Sequence, residues 1–319
     1  MPLLPERPYQ RPKSLFNGHL ETIYPALFRQ VVLPQPEKEQ LETDDEDFLE
    51  LDWHRRGNSK LLILSHGLEG NSSKGYILGM AKEALKNGFD VLAWNYRGCG
   101  EQLNRKAIFY HSGATYDLHA VVNHAASDYE ELYLGGFSLG GNLTLKYLGE
   151  GRTLHPKIKR AVAISVPIDL GGSCDKISTA AMGLYTKRFL TSLRKKIERK
   201  APLFPKEFPL EKFNQIQSLR DFDDLFTGPL HGFSDAEDYY QSNSALQFLP
   251  SISIPTLLLN AQNDPFLSES CYPFQLAADL EQVYCEFPKH GGHVGFSVFG
   301  KEKSYYSETR AVEFIRSGR

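Results

Sequence analysis

The chain has 319 residues, 41% hydrophobic and 24% charged, and its 36 Lys and Arg against 39 Asp and Glu leave a formal charge of -3. That balance is ordinary for a globular protein with a buried core and argues against disorder, a collagen-like fibre and a nucleic-acid partner. The longest apolar stretches, such as Leu61 to Leu64 and Thr256 to Leu259, fall far short of the roughly 18 residues of a membrane span.

The start, Met1-Pro2-Leu3-Leu4-Pro5-Glu6-Arg7-Pro8, has no basic segment leading into an apolar run, so no export signal is expected and a cytoplasmic location is the reading. Cys99, Cys174, Cys271 and Cys285 lie far apart with no CxxC pair, which points to reduced thiols and not to a zinc knuckle or disulfide framework. Residues 37–41 and 48–54 alternate polar with apolar side chains around an acidic turn, which predicts an antiparallel entry ribbon. From Lys60 short apolar runs alternate with helical segments, the pattern of a mostly parallel sheet covered by helices on both faces. Strands are expected near 60–66, 90–96, 131–137, 158–166, 254–261 and 283–287. Crossover helices are expected around 74–87, 115–126, 139–148 and 268–280, where apolar residues recur every three or four positions.

Between Asp169 and Leu249 the alternation stops for a stretch too long to be one loop. It reads as a mainly helical cap, residues 170–249, inserted at the carboxyl ends of the strands within one domain spanning 1–319. Inside it, Lys187 to Lys200 is a basic helix with Phe189, Leu190, Leu193 and Ile197 along one face. The reading is a solvated helix with its apolar stripe on the body, with contact to anionic lipid as the minor alternative.

Gly136-Phe137-Ser138-Leu139-Gly140 follows the apolar strand and opens a helix, the strand–turn–helix setting that a GxSxG nucleophile requires. A serine hydroxyl is a weak nucleophile, so it needs a histidine base and an acid to orient that base. Asp264 ends the run Leu257 to Asn263 just before Pro265, the expected place for the acid, although an Asx turn or helix cap would also use it. His293 lies in a glycine-rich loop after the last strand, with His290 as its rival. A His290/His293 metal pair lacks a third ligand, so no metal is expected. The oxyanion hole would take the backbone N–H of Leu139 and of Leu68, the latter on the turn after the first parallel strand. His66, at that strand's end before Gly67, reads as a local hydrogen-bonding residue. No GxGxxG follows the strand, and no cofactor is called for.

Taken together, His66-Gly67-Leu68-Glu69-Gly70, Asn95-Tyr96-Arg97-Gly98-Cys99, Tyr110-His111-Ser112-Gly113, the block from Gly136 to Asn142, Asn263-Asp264-Pro265-Phe266 and the block from Gly291 to Phe296 resemble the YheT-like family of α/β-hydrolases. Asn17-Gly18-His19-Leu20-Glu21-Thr22-Ile23 is similar to that family's opening motif. The resemblance covers nearly the whole chain. It implies the α/β-hydrolase fold and an esterase-type activity, and carries the triad roles onto Ser138, Asp264 and His293. It departs where Cys99 is followed by Gly100 and Glu101 instead of the family's frequent serine, which leaves that loop without an assigned substrate contact. His111 and Ser112 read as a hydrogen-bonding turn and not as catalysts. Animal members of the wider family are membrane-anchored and act on phospholipids; no such anchor is read here, and that substrate class is not carried over. The expectation is a cofactor-independent serine hydrolase acting on a small-molecule ester, acyl lipids included, through an acyl-enzyme. Acyl transfer to an alcohol and non-catalytic ligand binding are the alternatives on the same fold. Oligomeric state has no sequence signature here.

Overall fold

The computed structural model describes residues 3–5, 7, 9–300 and 303–318. Met1, Pro2, Glu6 and Pro8 of the proline-rich start lie outside them. The apolar runs form one eight-stranded sheet from β1 (Glu37–Glu42), β2 (Phe48–His54), β3 (Lys60–Ser65), β4 (Asp90–Asn95), β5 (Glu131–Phe137), β6 (Ile158–Ile164), β7 (Thr256–Leu259) and β8 (Val283–Glu286), in the order β1-β2-β4-β3-β5-β6-β7-β8. β1 and β2 make the antiparallel ribbon, β2 joins β4 antiparallel, and every pairing from β4 to β8 is parallel. The chain steps from β3 outward to β4, then crosses to the other side of β3 to form β5. That reversal opens a crevice beyond the carboxyl ends of β3 and β5, where an open α/β sheet binds its ligand. Ser65 and Gly136 are paired there.

Alternate residues of each buried strand feed two cores, as a period of two requires. Leu61 and Ile63 of β3 pack with Leu118 and Val121 of α3 (Thr115–Ala125) and Leu143 and Leu148 of α4 (Leu139–Gly149), all buried. Leu62 and Leu64 point the other way, onto Ile77 and Met80 of α2 (Gly75–Lys86) and Phe314 of the last helix, Tyr306–Ser317. That last helix and α1 (Gly18–Phe28) have no counterpart among the predicted elements. The helix expected at 268–280 is a short 3-10 turn, Glu269–Cys271, followed by a helix over Phe274–Asp279. Pro273 separates them because it lacks the N–H a continuous helix would need.

Between β6 and β7 run α5 (Leu170–Thr179), α6 (Leu184–Lys200), the short α7 (Leu210–Phe213), α8 (Leu219–Phe222) and α9 (Gly228–His231), and α10 (Ala236–Asn243). Their apolar residues, including Leu193, Ile197, Phe222 and Phe226, form a third core with Phe109 from the segment after β4. On α6 the stripe lies inward as read, but two lysines of the supposedly solvated face are buried with it. The Lys200 ammonium donates to the carbonyls of Lys106, Ala107 (3.1 Å) and Ile108 (3.2 Å), and Lys196 reaches Glu69. The long stems cross apolar ground and the charges end on fixed acceptors. Among the described residues no helix is long and apolar enough to cross a membrane.

Candidate active site

The turn between β5 and α4 carries Ser138 at φ 53° and ψ -121°, a conformation that non-glycine residues rarely adopt. Its N–H donates to the carbonyl of Ile164 on β6 (2.9 Å), which fixes the turn to the sheet. Gly136 is required for the same turn: a β-carbon there would stand 2.2 Å from the Gly140 carbonyl oxygen. The side chain of Ser138 therefore projects at the N-terminus of α4 into the crevice.

His293 Nε2 lies 2.9 Å from Ser138 Oγ, and His293 Nδ1 lies 2.8 Å from Asp264 Oδ2. A carboxylate on Nδ1 fixes the proton there, so Nε2 presents a lone pair to the serine hydroxyl. The Asp264 side chain is fully buried, and its other oxygen accepts the Phe266 N–H at 2.8 Å. The Phe266 ring covers the imidazole with centroids 4.2 Å apart. His293, not His290, faces the serine. Among the described residues no three His, Cys, Asp or Glu side chains group as metal ligands.

The histidine loop is held from outside the sheet. Val294 and Phe296 have φ of 57° and 44°, strained for residues with side chains and in need of external support, beside Gly292 at 59°. The His293 N–H donates to Thr22 Oγ1 and the Val294 N–H to Ser165 Oγ, each at 2.8 Å, and the Gly292 N–H donates to Asn263 Oδ1 at 3.0 Å. The Asn263 amide in turn donates to Glu21, a buried carboxylate whose pKa burial raises. Helix α1 thus braces the acid loop and the histidine loop together. In the sequence the segment from Asn17 to Ile23 is a motif without a role, and the helix that gives Glu21 and Thr22 theirs is not predicted there.

Opposite the serine, Leu139 N–H opens α4 and Leu68 N–H lies on the turn after β3; neither has a protein acceptor among the described residues. His66 shapes that turn. Its Nδ1 bonds the Gly67 carbonyl at 2.8 Å, its Nε2 accepts the Tyr96 N–H at 3.3 Å, and complete burial drives its pKa down to about 3. Ser112 accepts the Tyr239 hydroxyl proton at 2.8 Å, and His111 Nδ1 accepts the Gly113 N–H at 3.2 Å, so this block is a hydrogen-bonded turn.

A cavity of about 110 Å³ joins these parts, with Leu68, Ser138 and Leu139 at one side and Phe109, Phe189, Leu193, Phe222 and Phe266 among its apolar walls. One carboxyl, Asp223, also lines it. It accepts the Tyr240 hydroxyl at 2.6 Å, and burial pushes its pKa up to about 6. The Arg97 to Gly100 loop contacts other partners. Arg97 pairs with Asp45, Asp47 and Asp117, and Cys99 Sγ lies 3.1 Å from Lys196 Nζ.

A family model described as alpha/beta hydrolase fold matches residues 60–299. YheT of Escherichia coli (strain K12) is 33% identical over 293 residues, covering 89% of this chain and 85% of that protein. A monoacylglycerol lipase of Saccharomyces cerevisiae is 28% identical over 307 residues, covering 93% of this chain and 64% of its own length. Among solved structures, the esterase Pf2001 of Pyrococcus furiosus aligns over 99% of this chain and 97% of that one with a TM-score of 0.60; at 18% identity this is a likeness of fold.

Proposed function

The chain belongs to the YheT-like family of α/β-hydrolases, and we propose that it cleaves carboxylic esters through an acyl-enzyme formed on Ser138. The observation that carries this reading is the unbroken path from Asp264 through His293 to Ser138, with contacts of 2.8 and 2.9 Å. In the first half-reaction Ser138 Oγ attacks the ester carbonyl carbon while its proton passes to His293 Nε2. The carbonyl oxygen becomes an oxyanion that the Leu68 and Leu139 N–H groups receive, each worth about 3 kcal/mol at such a site. The positive end of α4 favours the same charge. The intermediate collapses, the C–O bond to the alcohol breaks, and His293 gives its proton to the departing alkoxide. Water then repeats the sequence on the acyl-enzyme, with Nε2 taking one proton, and returns the serine and a carboxylic acid. Asp264 keeps the imidazole oriented and stabilises its charged form throughout.

Residues 170–249 act in this reading as a cap, and the aromatic cavity beneath it receives an apolar acyl group. Relatives described as lipases support an ester substrate of that kind. All four cysteines are free thiols, which supports a reducing, cytoplasmic setting. The test is a panel of esters graded by acyl length, run with the wild type and Ser138→Ala, alongside labelling by a fluorophosphonate probe. In the variant, labelling should vanish and hydrolysis should fall by orders of magnitude. Undiminished hydrolysis in Ser138→Ala would overturn the reading, and a product ester formed in preference to the acid when alcohol is added would change it to acyl transfer.

A further inference from the structure

The turn that carries Leu68 does not hold its shape alone. Glu69, the next residue, has φ 52°, a left-handed conformation that costs a side-chain-bearing residue on the order of 1 kcal/mol or more. Its N–H donates to the Tyr110 hydroxyl at 2.9 Å, and that hydroxyl donates back to Glu69 Oε1 at 2.8 Å. From above, two residues one turn apart on α6 reach the same carboxylate: Ser192 Oγ donates to Oε2 at 2.6 Å, and Lys196 Nζ donates to Oε1 at 2.7 Å. Lys196 also lies 4.4 Å from the Tyr110 ring centre and 3.1 Å from Cys99 Sγ. Both charged side chains are less than a tenth exposed. Burial opposes the charge on each, yet the Lys196 ammonium holds the Glu69 carboxyl below its usual range, while the Glu69 carboxylate helps hold Lys196 above its own. Cys99 stays a thiol, with burial pushing its pKa up to about 11.

We propose that Glu69 and Lys196 are positioning residues for the reaction: through this buried ion pair the cap helix α6 fixes the Leu68 peptide as an oxyanion donor. Fixing the left-handed φ of Glu69 fixes the Leu68–Glu69 peptide and, through Leu68, orients the preceding Gly67–Leu68 peptide, which carries the Leu68 N–H and whose carbonyl accepts the Gly70 N–H at 3.0 Å. The inference rests on the reading of Ser138 as nucleophile and Leu68 as donor. It also gives the Cys99 loop a role, as one wall of the pocket that holds the lysine. Loss of a merely stabilising ion pair would lower the melting temperature and leave transition-state recognition alone. A positioning pair moves the second quantity.

The experiment measures steady-state turnover of one p-nitrophenyl ester and the inhibition constant of a trifluoromethyl ketone, whose hemiketal places an oxyanion in the hole. The proteins are the wild type, Glu69→Gln, Lys196→Met, Lys196→Arg and Ser192→Ala. In Glu69→Gln and Lys196→Met, kcat should fall about ten- to a hundredfold with KM within about threefold, the penalty of a misplaced catalytic dipole. Affinity for the ketone should fall by a similar factor. Lys196→Arg should recover much of the loss. Ser192→Ala keeps the ion pair and should lose kcat severalfold at unchanged KM, which serves as the deciding variant if the charge substitutions fail to fold. Wild-type kcat and ketone affinity in folded Glu69→Gln and Lys196→Met, or in Ser192→Ala if those two do not fold, would overturn the proposal. Ser138→Ala in the same assay separates the two levels: if it keeps full activity the underlying reading fails, whereas if it is inactive and the clasp variants are normal, the positioning role alone fails.

Discussion

A β-carbon placed on Gly140 would stand 2.4 Å from the carbonyl oxygen of Ser65, at the end of the neighbouring strand β3. No rotamer relieves a clash between two backbones, so Gly140→Ala must push the start of α4 away from the sheet. The expected loss is about 2 kcal/mol of stability, typical of overpacking, together with most of the turnover, because Ser138 rides on the displaced turn. Denaturant unfolding and ester kinetics on the same preparation check both. A variant with native stability would show that the turn yields more easily than its geometry implies.

In the proposed mechanism Ser138 and His293 act as one unit, so Ser138→Ala and His293→Ala should each reduce kcat nearly as far as the double variant. Asp264→Asn should lose less, though still orders of magnitude, since the imidazole remains while its orientation and proton placement suffer. The N–H groups of Leu68 and Leu139 survive all these changes, and a residual rate above that of water is expected. Rate losses that multiplied independently would count against a shared mechanism.

Thr22→Val takes the acceptor away from the His293 N–H and leaves a donor stranded inside the protein. The cost should be about 1–2 kcal/mol, with kcat reduced because His293 then tilts relative to Ser138. Thr22→Ser keeps the hydroxyl and should behave like the wild type. Thermal melting with kcat for the three proteins decides it, and equal kcat in Thr22→Val would remove α1 from any part in positioning the base.

Asp223 yields a pH prediction. Burial raises its carboxyl from 3.8 to about 6 in the folded state. Between those values the native protein holds a proton that the unfolded chain has released, so stability falls as pH rises through this window and then levels off. The shift corresponds to at most about 3 kcal/mol. Asp223→Asn keeps an oxygen for the Tyr240 hydroxyl and has no charge to bury. Relative to the wild type it should gain stability from pH 4 to pH 7, read as the difference in unfolding midpoint at the two values. A constant difference at both would mean that Asp223 does not titrate there.

The sheet was legible because strands buried on both faces must be apolar along their whole length, and Glu131 to Phe137 matches its strand residue for residue. The serine turn was legible for a related reason: its two glycines are steric necessities, and the sequence displays them. His293 could be preferred over His290 because the flanking glycines adopt backbone angles other residues avoid. What escaped depends on partners distant in the chain. Lys196 and Lys200 occupy a helix whose charge pattern reads as solvated, and their burial is tolerable because Glu69 and the loop from Cys99 to Ile108, folded beneath them, supply acceptors. Thr22 is one hydroxyl on a short helix, and its acceptor role exists only once the histidine loop reaches it. The interruption at Pro273 was visible as a residue, yet the three- and four-residue spacing across 268–280 concealed its effect.

The bond from His293 N–H to Thr22 spans 271 residues of chain. A ribosome adding about 5–20 residues per second needs on the order of tens of seconds to travel that distance. Helix α1 therefore emerges well before the loop it braces. Once β6 has emerged, Ser138 can sit on its turn between β5 and α4, while Asp264 and His293, the acid and base of the proposed mechanism, have yet to be made. The nascent protein is thus unable to assemble the Ser138–His293 pair until residue 293 has been added, and the proposed nucleophile stays without its base through all of that interval.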